Sequence, residues 1–362
     1  MTPLAGIKVV ELARILAGPW AGQVLADLGA EVVKVESPEG DDTRRWGPPF
    51  VGDDAAYFHA TNRGKRSVVA DFATHEGREK VLELVREADV LIENFKLGGL
   101  AKYGLDYGSL SVINPRLVYC SITGFGQDGP YASRAGYDFI VQGMSGIMDL
   151  TGDPAGPPQK IGVAYADILT GLYAVIAIQA ALRQREATGR GQHIDMALMD
   201  VMVGTLANQA MNYLVSGETP TRLGNAHPNI APYEAFPVAD GWIIIAVGND
   251  AQFRRLAVLL DLPERAEWAT NAGRVRDRAA LSQAISAQTR DREKAALLAD
   301  LEEQGIPAGP INTVAEALAD PQIAARGMVL DLGEGLKGLR TPIRFSDGEL
   351  ALGKRSPKLG EG

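Results

Sequence analysis

The chain has 362 residues, enough for two domains, and its 46% hydrophobic and 22% charged residues are those of an ordinary folded protein. A net charge of −9 excludes generic nucleic-acid binding, which needs a basic field. The single cysteine, Cys120, excludes an intrachain disulfide, and the four scattered histidines lack ligand-like spacing, so no metal is expected. The opening MTPLAGIKVVEL has neither the basic segment nor the long apolar core of a signal peptide. The longest apolar run, after Asp167, reads as too short and too interrupted to span a bilayer. The expectation is a cytoplasmic protein with no membrane or nucleic-acid partner.

Residues 7–12 (IKVVEL) read as a buried strand. Gly18-Pro19-Trp20 opens a helix that runs to about Leu28 and stops at Gly29. Residues 31–36 (EVVKVE) form a second strand, so the chain starts β-α-β and a parallel sheet is the default. Strand patterns at 66–72, 89–93 and 117–123 and an amphipathic helix at 76–87 continue the alternation. The pattern predicts an α/β fold with a Rossmann-like, open, mostly parallel sheet. The segment Ala13-Arg14-Ile15-Leu16-Ala17-Gly18-Pro19 lacks the glycines of a dinucleotide fingerprint, so neither NAD nor FAD is expected.

Residues 124–158 are rich in Gly, Pro, Asp and Ser, with a short helical piece near 137–148. Then comes Asp167, followed by a largely apolar helix that ends at Thr188-Gly189-Arg190-Gly191. Two readings of Asp167 stand together. It is a preferred cap residue at a helix start, or it is a held carboxylate, kept ionised by the helix dipole and free backbone N–H groups, able to act as a nucleophile. A strand at 193–197 and a helix at 198–215 follow. Strands at 233–238 and 242–247 flank Ala239-Asp240-Gly241 as a hairpin. Helices are predicted at 250–260, 279–303 and 314–318, with a break at Pro307–Pro310. The domains expected are 1–200 (large, Rossmann-like), 201–223 (linker), 224–322 (small α/β) and 323–362, a tail returning to the first domain.

As an ordered set, several motifs carry a resemblance over essentially the whole chain. They are PLAGIKVVELARILAGPWAGQVLADLGAEVVKVE, GDDTRRWGPP, NRGKRS, ADVLIENF, NPRLVYCSITGFGQDGPYASRAGYD and TGRGQHIDMAL. The chain resembles the family III CoA-transferases, a group that includes carnitine- and bile-acid-linked CoA enzymes and the α-methylacyl-CoA racemases. Its likeness within the family is to dicarboxylate enzymes of the succinate–hydroxymethylglutarate type. The resemblance implies that Asp167 is the nucleophile and that coenzyme A, as a thioester, is a substrate. It also implies that the protein is an interlocked homodimer.

By motif position, Leu16 and Ala17 fall on the adenine and pantetheine path. Asn94, Phe95 and Lys96 fall where the backbone meets the cofactor, and Lys102 where the family uses a basic side chain. Ala135, Gly136, Tyr137 and Asp138 complete the cofactor-side set, with Tyr137 and Asp138 either orienting Asp167, lining the acyl pocket or serving only as turn residues. CoA phosphates need converging cations, and the basic candidates are Arg44, Arg45, Lys65, Arg66, Lys96, Lys102 and Arg134. Ser37 stands where the family often has an adenine-stacking arginine. Gly224-Asn225-Ala226-His227-Pro228-Asn229 stands near the oxyanion-stabilising glycine run of formyl-CoA transferases, from which it departs. For the far carboxylate of a dicarboxylate acyl group, Arg45, Lys160 and Arg222 are the candidates. The racemases put a histidine at Tyr137, and a phenol with a reference pKa of about 10 is a poor base, which leaves racemization as the alternative to transfer.

Overall fold

The computed structural model describes residues 1–362. The chain divides into two compact units, residues 1–148, 160–218 and 321–362 in the first and residues 149–159 and 219–320 in the second.

The first unit is built on six parallel strands: β1 (Lys8–Glu11), β2 (Glu31–Glu36), β3 (Arg66–Val69), β4 (Val90–Glu93), β5 (Val118–Thr123) and β6 (His193–Ala197). Their order across the sheet is β3-β2-β1-β4-β5-β6. This is the doubly wound order, and it reverses direction between β1 and β4. Helix α1 (Ala17–Asp27) crosses from β1 to β2, α2 (His75–Arg86) from β3 to β4, and α3 (Tyr107–Ile113) from β4 to β5. Helix α4 (Asp138–Met144) lies in the long connection after β5.

The period-2 alternation of each strand splits the core in two. Val9, Val32, Val90, Ile92, Val118 and Cys120 pack with α1 and with helix α5 (Tyr165–Thr188). Val10, Val35, Leu91 and Tyr119 pack on the other face with Val81 and Val85 of α2 and Leu110 of α3. Both faces of the central strands are covered, and β4 and β5 are buried almost throughout.

Helix α5 has 24 residues and is long and apolar enough to cross a membrane by length and composition, contrary to the sequence reading of the run as too short. Its stripe Ala174, Ile178, Ala181 and Leu182 is instead buried in the sheet's core. The helix expected over 198–215 is two, α6 (Leu198–Gly204) and α7 (Ala207–Ser216), separated where Ala207 adopts φ 49°. Residues 201–218 therefore belong to the first unit and are mostly helical, so the expected linker over 201–223 is corrected.

The tail, residues 327–362, forms only two short strands, Val329–Asp331 and Lys337–Leu339. It is tied down along the first unit. Arg63 donates to the Leu339 carbonyl, the Ala351 N–H to Asp27, and the Ser67 N–H, on β3, to Glu361.

In the second unit β7 (Tyr233–Val238) and β8 (Gly241–Ala246) make the hairpin, with Gly241 at φ 141°. A third strand, β9 (Ala308–Pro310), pairs antiparallel with β8 where the sequence shows only a break. Helices α8 (Asp250–Leu259), α9 (Asn271–Arg276), α10 (Arg278–Thr289) and α11 (Lys294–Glu303) enclose Phe236, Ile243, Ile245, Trp268, Leu281 and Leu301. The single helix expected over 279–303 is thus two, α10 and α11.

Candidate active site

Asp167 is the third residue of α5. It is not the cap, because the capping position is Ala164, whose side chain has nothing to offer. The missing acceptor comes from Asp138, the first residue of α4. Its Oδ1 accepts from the Ala166 N–H at 2.8 Å and the Asp167 N–H at 3.4 Å. Its Oδ2 accepts from Gln142 Nε2 at 2.8 Å, and Gln142 Oε1 accepts from the Ile161 N–H at 3.0 Å. One turn of α4 therefore satisfies two of the free donors of α5 and anchors its lead-in.

With its N–H groups engaged by another carboxylate, Asp167 is not kept ionised as the sequence suggests. Burial, and then the charge of Asp138, push its carboxyl up to about 7. It is poised between acid and carboxylate at neutral pH, the range in which a tuned catalytic group works. Tyr57, half-buried and edge-on to Trp46, lies within reach of the same field. Burial and the charges of Asp167, Asp138 and Asp41 raise its phenol and keep it protonated. Nothing in the local sequence marks Tyr57, which sits in a short helix, Ala56–His59, directly after a two-strand ribbon at Phe50–Val51 and Asp54–Ala55.

Asp167 and Gly171 are four residues apart and share a face of α5. A Cβ on Gly171 would lie 2.7 Å from the Ala17 carbonyl oxygen and 3.2 Å from Trp20 Cβ. Glycine thus lets the start of α1 close onto α5 one turn below Asp167. Leu16 and Ala17 are buried there. The preceding turn contains Ile15 at φ 72°, a left-handed conformation costing on the order of 1–3 kcal/mol for a β-branched residue.

The loop after β4 is joined to this turn. Asn94 Oδ1 accepts from the Arg14 N–H at 2.9 Å, and Asn94 Nδ2 donates to the Arg14 carbonyl at 2.7 Å. The two loops lie beyond the carboxyl ends of β1 and β4, where the strand order reverses and where ligands bind in such sheets. Phe95 packs against Phe72, with the Arg14 guanidinium 6.0 Å from its ring centre. Lys96 is exposed, and Lys102 is exposed with its Nζ 4.7 Å from the Tyr103 ring centre. Beside this loop, on the α2–α3 face of the sheet, is a cavity of about 360 Å³ lined by Glu93, Phe95, Lys96, Tyr107, Ser121 and His193. It does not include Asp167.

Gly136 packs onto Gly124, folding the connection after β5 back on itself, while Ala135 and Tyr137 are exposed. Of the Tyr137-Asp138 pair, it is Asp138 that hydrogen-bonds the start of α5.

Two of the proposed basic ligands are not available. Arg44 is buried in ion pairs with Glu36 at 2.7 Å and Asp54 at 2.9 Å. Lys65 is buried against Glu11 at 2.8 Å and donates to the Pro19 carbonyl and Asn62, with burial pushing its ammonium down to about 8. Glu11 and Pro19 lie 54 and 46 residues from Lys65, beyond any local window, whereas Glu36 and Asp54 lie only 8 and 10 residues from Arg44. Arg45 bonds Glu39 and Asp42 at the surface, Arg66 is exposed, and Arg134 stands 4.5 Å from the Tyr131 ring centre. Lys160 donates to the Ile161 carbonyl, and Ser37 to that of Gly40. In the second unit Arg222 is paired to Asp149 at 2.9 Å. The Gly224–Asn229 loop is fixed by Asn271 donating to the Asn229 carbonyl and by His227 against Tyr233. Cys120 is fully buried, and burial raises its thiol far above the ordinary range, so it is a core residue and not a nucleophile.

A family model described as CoA-transferase family III matches residues 4–362. The succinate–glutarate CoA-transferase of Agrobacterium fabrum is 61% identical, over 99% of this chain and 93% of that protein. The human succinyl-CoA:glutarate CoA-transferase is 41% identical, over 99% of this chain and 84% of that protein. The crystal structure of a CaiB/BaiF family protein from Brucella suis superposes with a TM-score of 0.92 at 66% identity, covering 99% of this chain and 97% of that one. Matched along nearly its whole length, with the doubly wound sheet that its sequence predicts, the chain belongs to CoA-transferase family III and is a CoA-transferase.

Proposed function

We propose that the protein moves CoA between dicarboxylates of the succinate and glutarate kind, with Asp167 as the covalent nucleophile. The observation that carries the mechanism is the placement of Asp167. It is a partly buried carboxylate on the first turn of a core helix, held by Asp138 and titrating near neutrality. The substrate class follows from the names of the relatives, which exchange succinate and glutarate.

In the first step the Asp167 carboxylate attacks the thioester carbonyl. The C–S bond breaks, CoA leaves as thiolate, and an aspartyl anhydride remains. The thiolate then attacks the aspartyl carbonyl and releases the donor carboxylate, leaving an aspartyl-CoA thioester. The acceptor carboxylate attacks that thioester, expels the thiolate and forms a second anhydride. The thiolate attacks its acyl carbon, and the new thioester departs as Asp167 is restored. No net proton is consumed. Each anhydride survives only while water is excluded. Leu16, Ala17 and the Asn94–Lys96 loop flank the reversal point of the sheet and would take the CoA chain. Lys96 and Lys102 supply its nearby exposed positive charge.

Racemization needs a second base across the α-carbon. Tyr137, which stands in the racemase histidine's place, is 69% exposed to solvent, and the named relatives transfer CoA.

The test is direct. Incubation with succinyl-CoA and hydroxylamine should leave a hydroxamate at Asp167, read by peptide mass spectrometry. Asp167→Asn should lose succinyl-CoA:glutarate transfer by at least about 1000-fold. Wild-type transfer by the Asn variant overturns the mechanism. Transfer by the parent enzyme only to monocarboxylates overturns the substrate class.

A further inference from the structure

Four charged side chains, Glu11, Lys34, Asp41 and Lys65, are fully buried together beneath the turn that precedes α1. Lys34 pairs with Glu11 at 3.1 Å and with Asp41 at 2.9 Å. Apolar packing could fill this space with less desolvation, so the cluster needs a reason beyond stability. Its bonds supply one. Lys34 Nζ donates to the Ala13 carbonyl at 2.9 Å. The Ile15 N–H donates to the Asp41 carboxylate, 3.4 Å from Oδ1 and 3.3 Å from Oδ2. Lys65 Nζ donates to the Pro19 carbonyl at 2.9 Å. Asn94 holds both backbone groups of Arg14. Three of the four charges and one amide thus converge on the backbone of residues 13–19.

The residue at the centre of that grip is Ile15, the β-branched residue at φ 72°. Immediately after it, Leu16 accepts the first helical bond of α1 from the Trp20 N–H at 2.7 Å, and Ala17 touches α5 one turn below Asp167. The side chains of α5 lean toward its N-terminus, so Asp167 projects from the turn just above that contact.

We infer that Ile15 and Asp41 are positioning residues for transfer. The buried charges clamp Ile15 in its left-handed turn, and the turn sets where the start of α1 stands relative to the Asp167 carboxylate. The inference rests on Asp167 being the nucleophile. Neither residue is given a bond to substrate. They act through the backbone of Leu16 and Ala17, and an error of about 1 Å there is enough to cost a large part of the rate.

Glycine at position 15 accepts the same turn without strain but does not enforce it. Asparagine takes that conformation at little cost and, unlike glycine, has a side chain that limits the backbone's other options. The experiment compares Ile15→Gly, Ile15→Asn, Asp41→Asn and the Ile15→Gly/Asp41→Asn pair in succinyl-CoA:glutarate transfer, with folding checked by circular dichroism. Ile15→Gly is expected to lower kcat about 10- to 100-fold with KM for succinyl-CoA changed less than about threefold. Ile15→Asn should recover part of that loss. The double variant should be little worse than the poorer single variant, because both substitutions release one turn.

Wild-type kcat in folded Ile15→Gly overturns the inference, as does an effect confined to KM or strict additivity in the double variant. Should Asp41→Asn not fold, the ranking of the two Ile15 variants decides alone. Should the parent enzyme transfer CoA and Asp167→Asn do so equally, the nucleophile assignment has failed and not the clamp.

Discussion

Asp167 carries a cost that should be measurable apart from turnover. Its carboxyl titrates at about 7 in the folded chain against 3.8 for the free side chain, through burial and then the charge of Asp138. Between about pH 4 and pH 7 the unfolded chain releases this proton and the folded chain keeps it. The contribution to stability therefore falls as pH rises through that window and is level above it. Asp167→Asn removes the penalty. The variant should match its parent near pH 4 and exceed it by on the order of 2 kcal/mol at pH 8, after discounting for the group's partial exposure. Thermal melts of both proteins across that range test this, and a constant offset would count against it. The same group sets a rising limb in kcat/KM centred near pH 7, since only the carboxylate attacks. Asp138→Asn, which keeps an acceptor oxygen but drops the charge, should move that limb to lower pH, because the Asp138 charge is the second cause that raises it.

At this scale the sequence shows where Asp167 stands but not what holds it. A cap supplied from 29 residues away, by Asp138, leaves no mark in the window around the helix. Lys65 looks like a free cation for the same reason, whereas Arg44 meets Glu36 and Asp54 only 8 and 10 residues away. Lys65 meets Glu11 across 54 residues of chain.

At the level of elements, the pairing of α1 with α5 fixes the geometry of the site. Gly171 is a poor helix former, yet a side chain there has no room against Ala17 and Trp20. Gly171→Ala gains about 1 kcal/mol of helix propensity but meets backbone at 2.7 Å. Overpacking of this kind costs about 1–3 kcal/mol. We expect a lower denaturation midpoint together with a kcat reduced at least about tenfold. A variant more stable than its parent would show that α1 can back away freely.

The central strands of the main sheet were readable because they are buried almost throughout, as in Val90–Glu93 and Val118–Thr123. β2 and β6 fall on the expected residues, Glu31–Glu36 and His193–Ala197. Helix interruptions were not. The break between α6 and α7 rests on Ala207 at φ 49°, which its composition does not announce. β9 is three residues, Ala308–Pro310, with a proline at its end. It is a strand only because β8 offers it an edge.

For the whole molecule, the first unit leaves much apolar side chain in water. Leu172, Tyr173 and Ile176 on α5, Val203 on α6, and Met211, Tyr213, Leu214 and Val215 on α7 are all exposed in the single chain. Surfaces of this kind mark interaction sites. With the family likeness they favour the expected homodimer. Sedimentation equilibrium at micromolar concentration should give twice the chain mass of 38.6 kDa. A monomer that transfers CoA would remove both the dimer and any need for a partner's residues at the site.

β3 ends the main sheet on one side, and an open strand there would present unpaired N–H and C=O groups to any passing chain. The last residues cover it. Ser67 on β3 donates its N–H to the Glu361 carbonyl, and its hydroxyl accepts from the Gly360 N–H at 2.9 Å. The tail therefore works as a selvedge, finishing the border of the sheet so that it does not fray into its neighbours. Trimming residues 355–362 should leave the catalytic side chains in place yet yield material that self-associates with time, visible as rising light scatter and thioflavin fluorescence, while the full-length chain stays clear.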